Sequence, residues 1–210
     1  MNKKAIIAIM AALTLSGYPI PGSAHTIVDN HPEMQKQAEE VMKQVDGYMK
    51  DKYQVSLNEE MTIVNTYDYE KDVKTYKLED AAYAIKYSAA VSVQSRNLII
   101  LNMQIVTPEA YRFFLTHELV HKYQAIKAKE EQTTMNKNVG LVEGMADIIA
   151  EDLTSIQLET KDRDIPRKEL APPEDIKKAV KTYGETEVYE QASYEAEMYR
   201  KKHPKSLYEE

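Results

Sequence analysis

The sequence predicts an α+β fold, a small mixed sheet followed by a mainly helical C-terminal part, and three observations predict it. Short stretches rich in β-branched and aliphatic residues, MTIVNTY (61–67), AAVSV (89–93) and NLIILN (97–102), all fall in the first half of the chain. From residue 108 onward, apolar residues recur instead at the i, i+3, i+4 spacing of helices. The 210 residues, 43% hydrophobic and 29% charged, suit one globular domain with a core of its own.

The first stretch, MNKKAIIAIMAALTLSGYPIPGSAHT, has Lys3 and Lys4, an apolar run over 5–15 and the small residues Gly22, Ser23 and Ala24. That order is the pattern of a secretory signal peptide, so 1–24 is expected to be removed and 25–210 to form the domain. The run is shorter than the about 20 residues needed to span a bilayer, which argues against a retained anchor and stable membrane insertion. The chain holds no cysteine. Disulfides, a thiol nucleophile and a lipid-modified N-terminal cysteine are therefore all excluded. The formal net charge is −7, and loss of Lys3 and Lys4 makes it more negative. Such a surface does not suit nucleic acid or an anionic membrane as main partner.

The elements follow in order. Over 31–53, Met34, Ala38, Val41, Met42, Val45, Tyr48 and Met49 keep helical spacing. The strand 61–67 comes next. Segment 69–90 mixes Tyr69, Tyr76, Tyr83 and Tyr87 with charges and favours no single element. AAVSV and NLIILN flank the polar QSR as a hairpin whose second strand is short and buried. Thr107 offers a side-chain cap and Pro108 a pre-set first turn for a helix over 109–129. The polar EEQTTMNKN connects to a helix over 139–156 with Val142, Met145, Ala146, Ile149 and Leu153 on its apolar face. KDRDIPRKELAPP (161–173) is a charged, proline-bearing loop. Two more helices, 173–183 and 185–203, are separated by Gly184.

The chemistry concentrates in FFLTHELVHKYQ (113–124). On a helix, residues four apart share a face one turn apart, so His117 and His121 can offer imidazole nitrogens to one ion. Glu118 beside the first histidine can accept a proton from water in an open coordination position. A closed structural zinc site usually takes four ligands, commonly cysteines, which this chain lacks. The bland alternative is an amphipathic helix whose histidines are ordinary polar residues. VEGMADII counts against it, because Glu143 from a separate helix can supply a third ligand and leave the site open. Asp147, one turn on, can accept the free N–H of a ligand histidine. Gly144 removes a side chain beside Glu143 and can let the ligand helices approach closely.

HELVH and EGMAD, with the strand NLIILN ahead of the first helix, resemble the gluzincin metallopeptidases, the thermolysin-like group, and especially the peptidase MA-like members with an EGxAD segment. The resemblance covers about 97–153. It implies a zincin-like fold in which an edge strand, here 98–102, packs on the active-site helix and pairs with extended substrate. It also implies zinc held by His117, His121 and Glu143, Glu118 as general base and Asp147 as a partner behind the ligands. A variant of the enzyme class that this pattern resembles takes an aspartate as third ligand, and Asp147 would then replace Glu143. The aromatic residue common before the EG segment is absent from NVGLVEG. In such enzymes a tyrosine or histidine further along donates to the oxyanion. Tyr194 in YEQASYEAEMYRKKH is the first candidate here, Tyr189 the second and His203 a third, among 15 tyrosines that otherwise pack helices. The expectation is a secreted zinc metallopeptidase acting on a peptide or protein substrate. The alternatives are a catalytically silent zinc-binding protein on the same scaffold and a helical interaction protein without metal.

Overall fold

The computed structural model describes residues 26–29, 31–79, 82–133, 139–157 and 185–207. The signal-like segment, the loop over 161–173 and the helix expected over 173–183 lie outside them. The described residues form two compact units, one within 1–43 and 58–119, the other within 44–57 and 120–210. Helices α1 (Pro32–Tyr53) and α4 (Pro108–Glu130) run from one into the other.

The first unit carries a four-stranded sheet of β1 (Thr26–Val28), β2 (Thr62–Thr66), β3 (Ala90–Val93) and β4 (Leu98–Asn102), in the order β1-β2-β4-β3. β1 with β2 and β2 with β4 run parallel, and β3 with β4 antiparallel. Parallel neighbours need crossovers: α1 joins β1 to β2, while α2 (Tyr69–Tyr76) and α3 (Ala82–Tyr87) lie between β2 and the hairpin. The hairpin forms as expected, its polar QSR making a short 3-10 turn that leaves Asn97 left-handed, with φ 48°.

All five residues of β4 are buried, because the sheet is covered on both faces. On one face Val64, Val91, Val93, Leu98 and Ile100 pack against Val73 of α2, Leu78 just after it, and Ala84 and Ile85 of α3. On the other, Asn65 accepts a hydrogen bond from the hydroxyl of Tyr111 in α4 at 3.2 Å. The stretch 69–90, which favours no element in the sequence, contains two short helices, and α2 is held at both ends. Asp68 caps α2 by accepting from the Lys71 N–H at 3.2 Å, and Arg96 donates to the Tyr76 and Lys77 carbonyls at its other end.

One expectation is corrected. Strand 98–102 is not an edge: β4 is bonded to β2 on one side and β3 on the other, so its backbone groups have no side left for a substrate strand. The edges among the described residues are β1 and β3.

In the second unit α5 (Val139–Thr154) packs on α6 (Glu185–Lys202). The contact is close at Gly144, where a Cβ would overlap the backbone carbonyl of Ala192 and come within 2.8 Å of the Ser193 nitrogen. The gap that Gly144 creates is thus used by α6, and this differs from the approach of the two ligand helices expected from sequence. Tyr123 donates to Asp46 at 2.8 Å and Gln44 to the Leu153 carbonyl at 2.8 Å, so the C-terminal half of α1 is tied to α4 and α5. No helix among the described residues is long and apolar enough to cross a membrane.

Candidate metal centre

α4 begins as its sequence directs, with Thr107 Oγ1 accepting from the Ala110 N–H at 3.3 Å and Pro108 in the first turn. Every residue over 113–124 is then buried, including His117, Glu118, His121, Lys122 and Gln124. Groups of this kind stay inside a protein only when paired or otherwise satisfied, so five in three turns single out this helix. α5 is likewise buried over 140–150, Glu143 and Asp147 included.

The structure brings three of the expected site residues together. His117, His121 and Glu143 are 0%, 3% and 1% exposed. Their ligand atoms all lie within 4.8 Å of one another. The helical repeat sets the two histidines one turn apart, and α5 supplies the carboxylate.

The protonation of His121 follows from its neighbours. Its Nδ1 lies 2.8 Å from Oε1 of Gln124. The amide nitrogen of Gln124 donates to the backbone carbonyls of Val142 and Leu207, both at 3.0 Å. Carbonyls only accept, so this amide cannot be turned round, and Nδ1 must carry the proton that Oε1 receives. The lone pair of neutral His121 is then on Nε2, which faces Glu143 Oε2 at 3.4 Å. Such an approach is favourable when a cation lies between the two atoms, either a metal ion or a further proton on one of them. Donors about 2.0–2.2 Å from a tetrahedral ion stand about 3.4 Å apart. The spacing and the donor set therefore fit a metal ion.

Glu118, 2% exposed, follows His117 on α4, and Lys122, 4% exposed, stands one turn later. Asp147 is buried one turn after Glu143, and Ser193 of α6 donates to its Oδ2 at 3.4 Å. The acceptor for the His121 ring is Gln124. The sequence gives no sign of this role for Gln124 beyond a polar residue three positions after His121. Tyr189 and Tyr194 are half-buried on α6, on either side of Ala192. His203 is exposed beyond α6 and stacks on Tyr199 with ring centroids 4.4 Å apart.

Comparison with protein-family models, with curated proteins and with solved structures gives no match for the chain. Its functional reading rests on its own residues.

Proposed function

We propose that the protein is an exported zinc metallopeptidase of gluzincin type and zincin-like fold, hydrolysing peptide bonds with Glu118 as general base. The observation that carries this is the buried cluster of His117, His121 and Glu143, with Glu118 adjoining its first member. Two imidazoles and one carboxylate are the ligand set of catalytic zinc sites, which keep a fourth position open. A zinc ion held there supplies a Lewis acid that polarises a carbonyl and acidifies water.

The chain's own residues do the rest. Gln124 holds His121 in the tautomer that presents Nε2. Glu143 contributes the negative charge that balances a divalent cation. Glu118 takes a proton from the attacking water and passes it to the leaving amine, so no covalent acyl-enzyme is required. Tyr194, with Tyr189 as second choice, donates its hydroxyl to the developing oxyanion.

Glu118→Gln tests the reading, because it keeps the shape of the side chain and removes the base. The variant should bind zinc like the parent and lose peptide hydrolysis by about 10²- to 10⁴-fold. Undiminished cleavage by a zinc-loaded variant would remove Glu118 from the mechanism. Zinc binding without cleavage in the parent chain would favour a silent metal-binding protein.

A further inference from the structure

We infer that Gln124 is a positioning residue of the metal centre, and that through it the segment at Leu207 helps hold the centre in shape. The inference rests on the ligand roles proposed for His121 and Glu143.

Gln124 is wholly buried. A primary amide has two N–H donors and one carbonyl acceptor, and here each is used. Oε1 receives the His121 Nδ1 proton at 2.8 Å, and Nε2 donates to Val142 O and Leu207 O at 3.0 Å each. The Val142 carbonyl belongs to the peptide group that joins Val142 to Glu143. One side chain therefore aims the ring of one ligand and pins the backbone of another. Its third partner lies 83 residues away in sequence.

Leu207 reaches Gln124 by a turn after α6. The His203 N–H caps the helix on the Tyr199 carbonyl at 2.8 Å, and the Ser206 N–H then bonds the His203 carbonyl at 3.1 Å. This folds the chain back and buries Leu207 to 1% exposure. A buried amide N–H is costly to leave without a partner, so losing the Leu207 carbonyl favours a reorientation of the Gln124 amide away from His121 and Val142. A segment with no metal ligand of its own thereby acts on the geometry of the site.

Two measurements on the full chain test this. Zinc affinity is read by competition with a chromophoric chelator, and the His121 tautomer by imidazole ¹⁵N NMR of the metal-free protein at mildly alkaline pH. In the parent chain the Nδ1–H form of His121 should dominate. Gln124→Leu, which keeps bulk and removes all three bonds, should abolish that preference and weaken zinc by about 10- to 100-fold. Ending the chain after His203 should weaken zinc in the same direction, whereas Leu207→Ala, which keeps the carbonyl, should weaken it less. Parent-like affinity and tautomer in folded Gln124→Leu would overturn the inference. So would an Nε2–H tautomer in the metal-free parent chain, a result that does not depend on any variant folding. If the parent chain binds no zinc, the ligand roles fail while the tautomer measurement still judges Gln124.

Discussion

Nε2 of His121 stands 3.4 Å from Oε2 of Glu143, and both side chains are almost wholly buried, at 4% and 1% exposure. With the His121 Nδ1 proton committed to Gln124, that approach is favourable with a cation between the two atoms, a metal ion or a further proton. Metal should therefore stabilise the fold as well as equip the site. At a free ion concentration 100 times Kd the stabilisation is about 2.7 kcal/mol, so a chelator should lower Tm measurably in calorimetry. Glu143→Ala should lower metal occupancy far more than Asp147→Ala and should abolish the response of Tm to chelator. The reverse order would make Asp147 the third ligand.

Gly144→Ala should destabilise the second unit, although alanine is the better helix former by about 1 kcal/mol. The new methyl would overlap the Ala192 carbonyl, and backbone cannot swing aside as a side chain can. Overpacking of this kind costs about 1–3 kcal/mol, which outweighs the propensity gain. Because Gly144 follows Glu143, metal affinity should fall together with stability. Urea unfolding with a midpoint at or above that of the parent chain would show that α5 and α6 have room to spare at this point.

His117 and His121 are legible in the sequence because one helical turn, a local and regular distance, is all that relates them. Glu143 is legible as a pattern, an acid on a separate helical stretch with a compatible neighbourhood, though nothing local tells how near it comes. Gln124 is not legible, since its role depends on carbonyls at 142 and 207 that only folding brings to it. The sheet divides in the same way. NLIILN announces a strand buried on both faces, but an apolar run does not say which strands flank it, and the edge position that the family resemblance implies does not hold for β4. α2 and α3 were hidden because their tyrosines and charges mask a thin apolar stripe of Val73, Ala84 and Ile85, and because Arg96, one of their caps, comes from another element.

Asp29→Ala should unsettle the first unit. The Asp29 side chain is wholly buried just after β1. Its Oδ1 accepts from the His31 N–H at 2.7 Å and meets the His31 ring Nδ1 at 2.8 Å. Its Oδ2 accepts from Asn65 at 2.6 Å and Tyr67 at 3.3 Å. One carboxylate thus joins the ends of β1 and β2 to the entry of α1. Removing it leaves several donors unpaired, each costing about 1–3 kcal/mol if it stays buried. A loss of about 2–4 kcal/mol in urea unfolding is expected, with Asp29→Asn losing less because it keeps one acceptor. A change below about 0.5 kcal/mol, the range of ordinary surface substitutions, would mean that water replaces the carboxylate at no cost.

Alkaline pH should unfold the protein through three buried tyrosines. Burial pushes the phenol groups of Tyr53, Tyr111 and Tyr123 above the ordinary value of 10.0, and neighbours add to it: Tyr48 for Tyr53, Asp46 for Tyr123 and Asp29 for Tyr111, where the Asn65 bond acts the other way. A raised value in the folded state means that folding favours the protonated form. The contribution of these groups is therefore complete below the unfolded-state value of about 10 and is lost as pH rises through their folded-state values. Stability from this source should be flat up to about pH 10 and then fall steeply. Phenolate absorbance followed alongside circular dichroism checks it. The phenols of Tyr53, Tyr111 and Tyr123 should ionise only in step with loss of structure. Ionisation of all of them near pH 10 in a protein that stays folded would show that Tyr53, Tyr111 and Tyr123 are open to solvent.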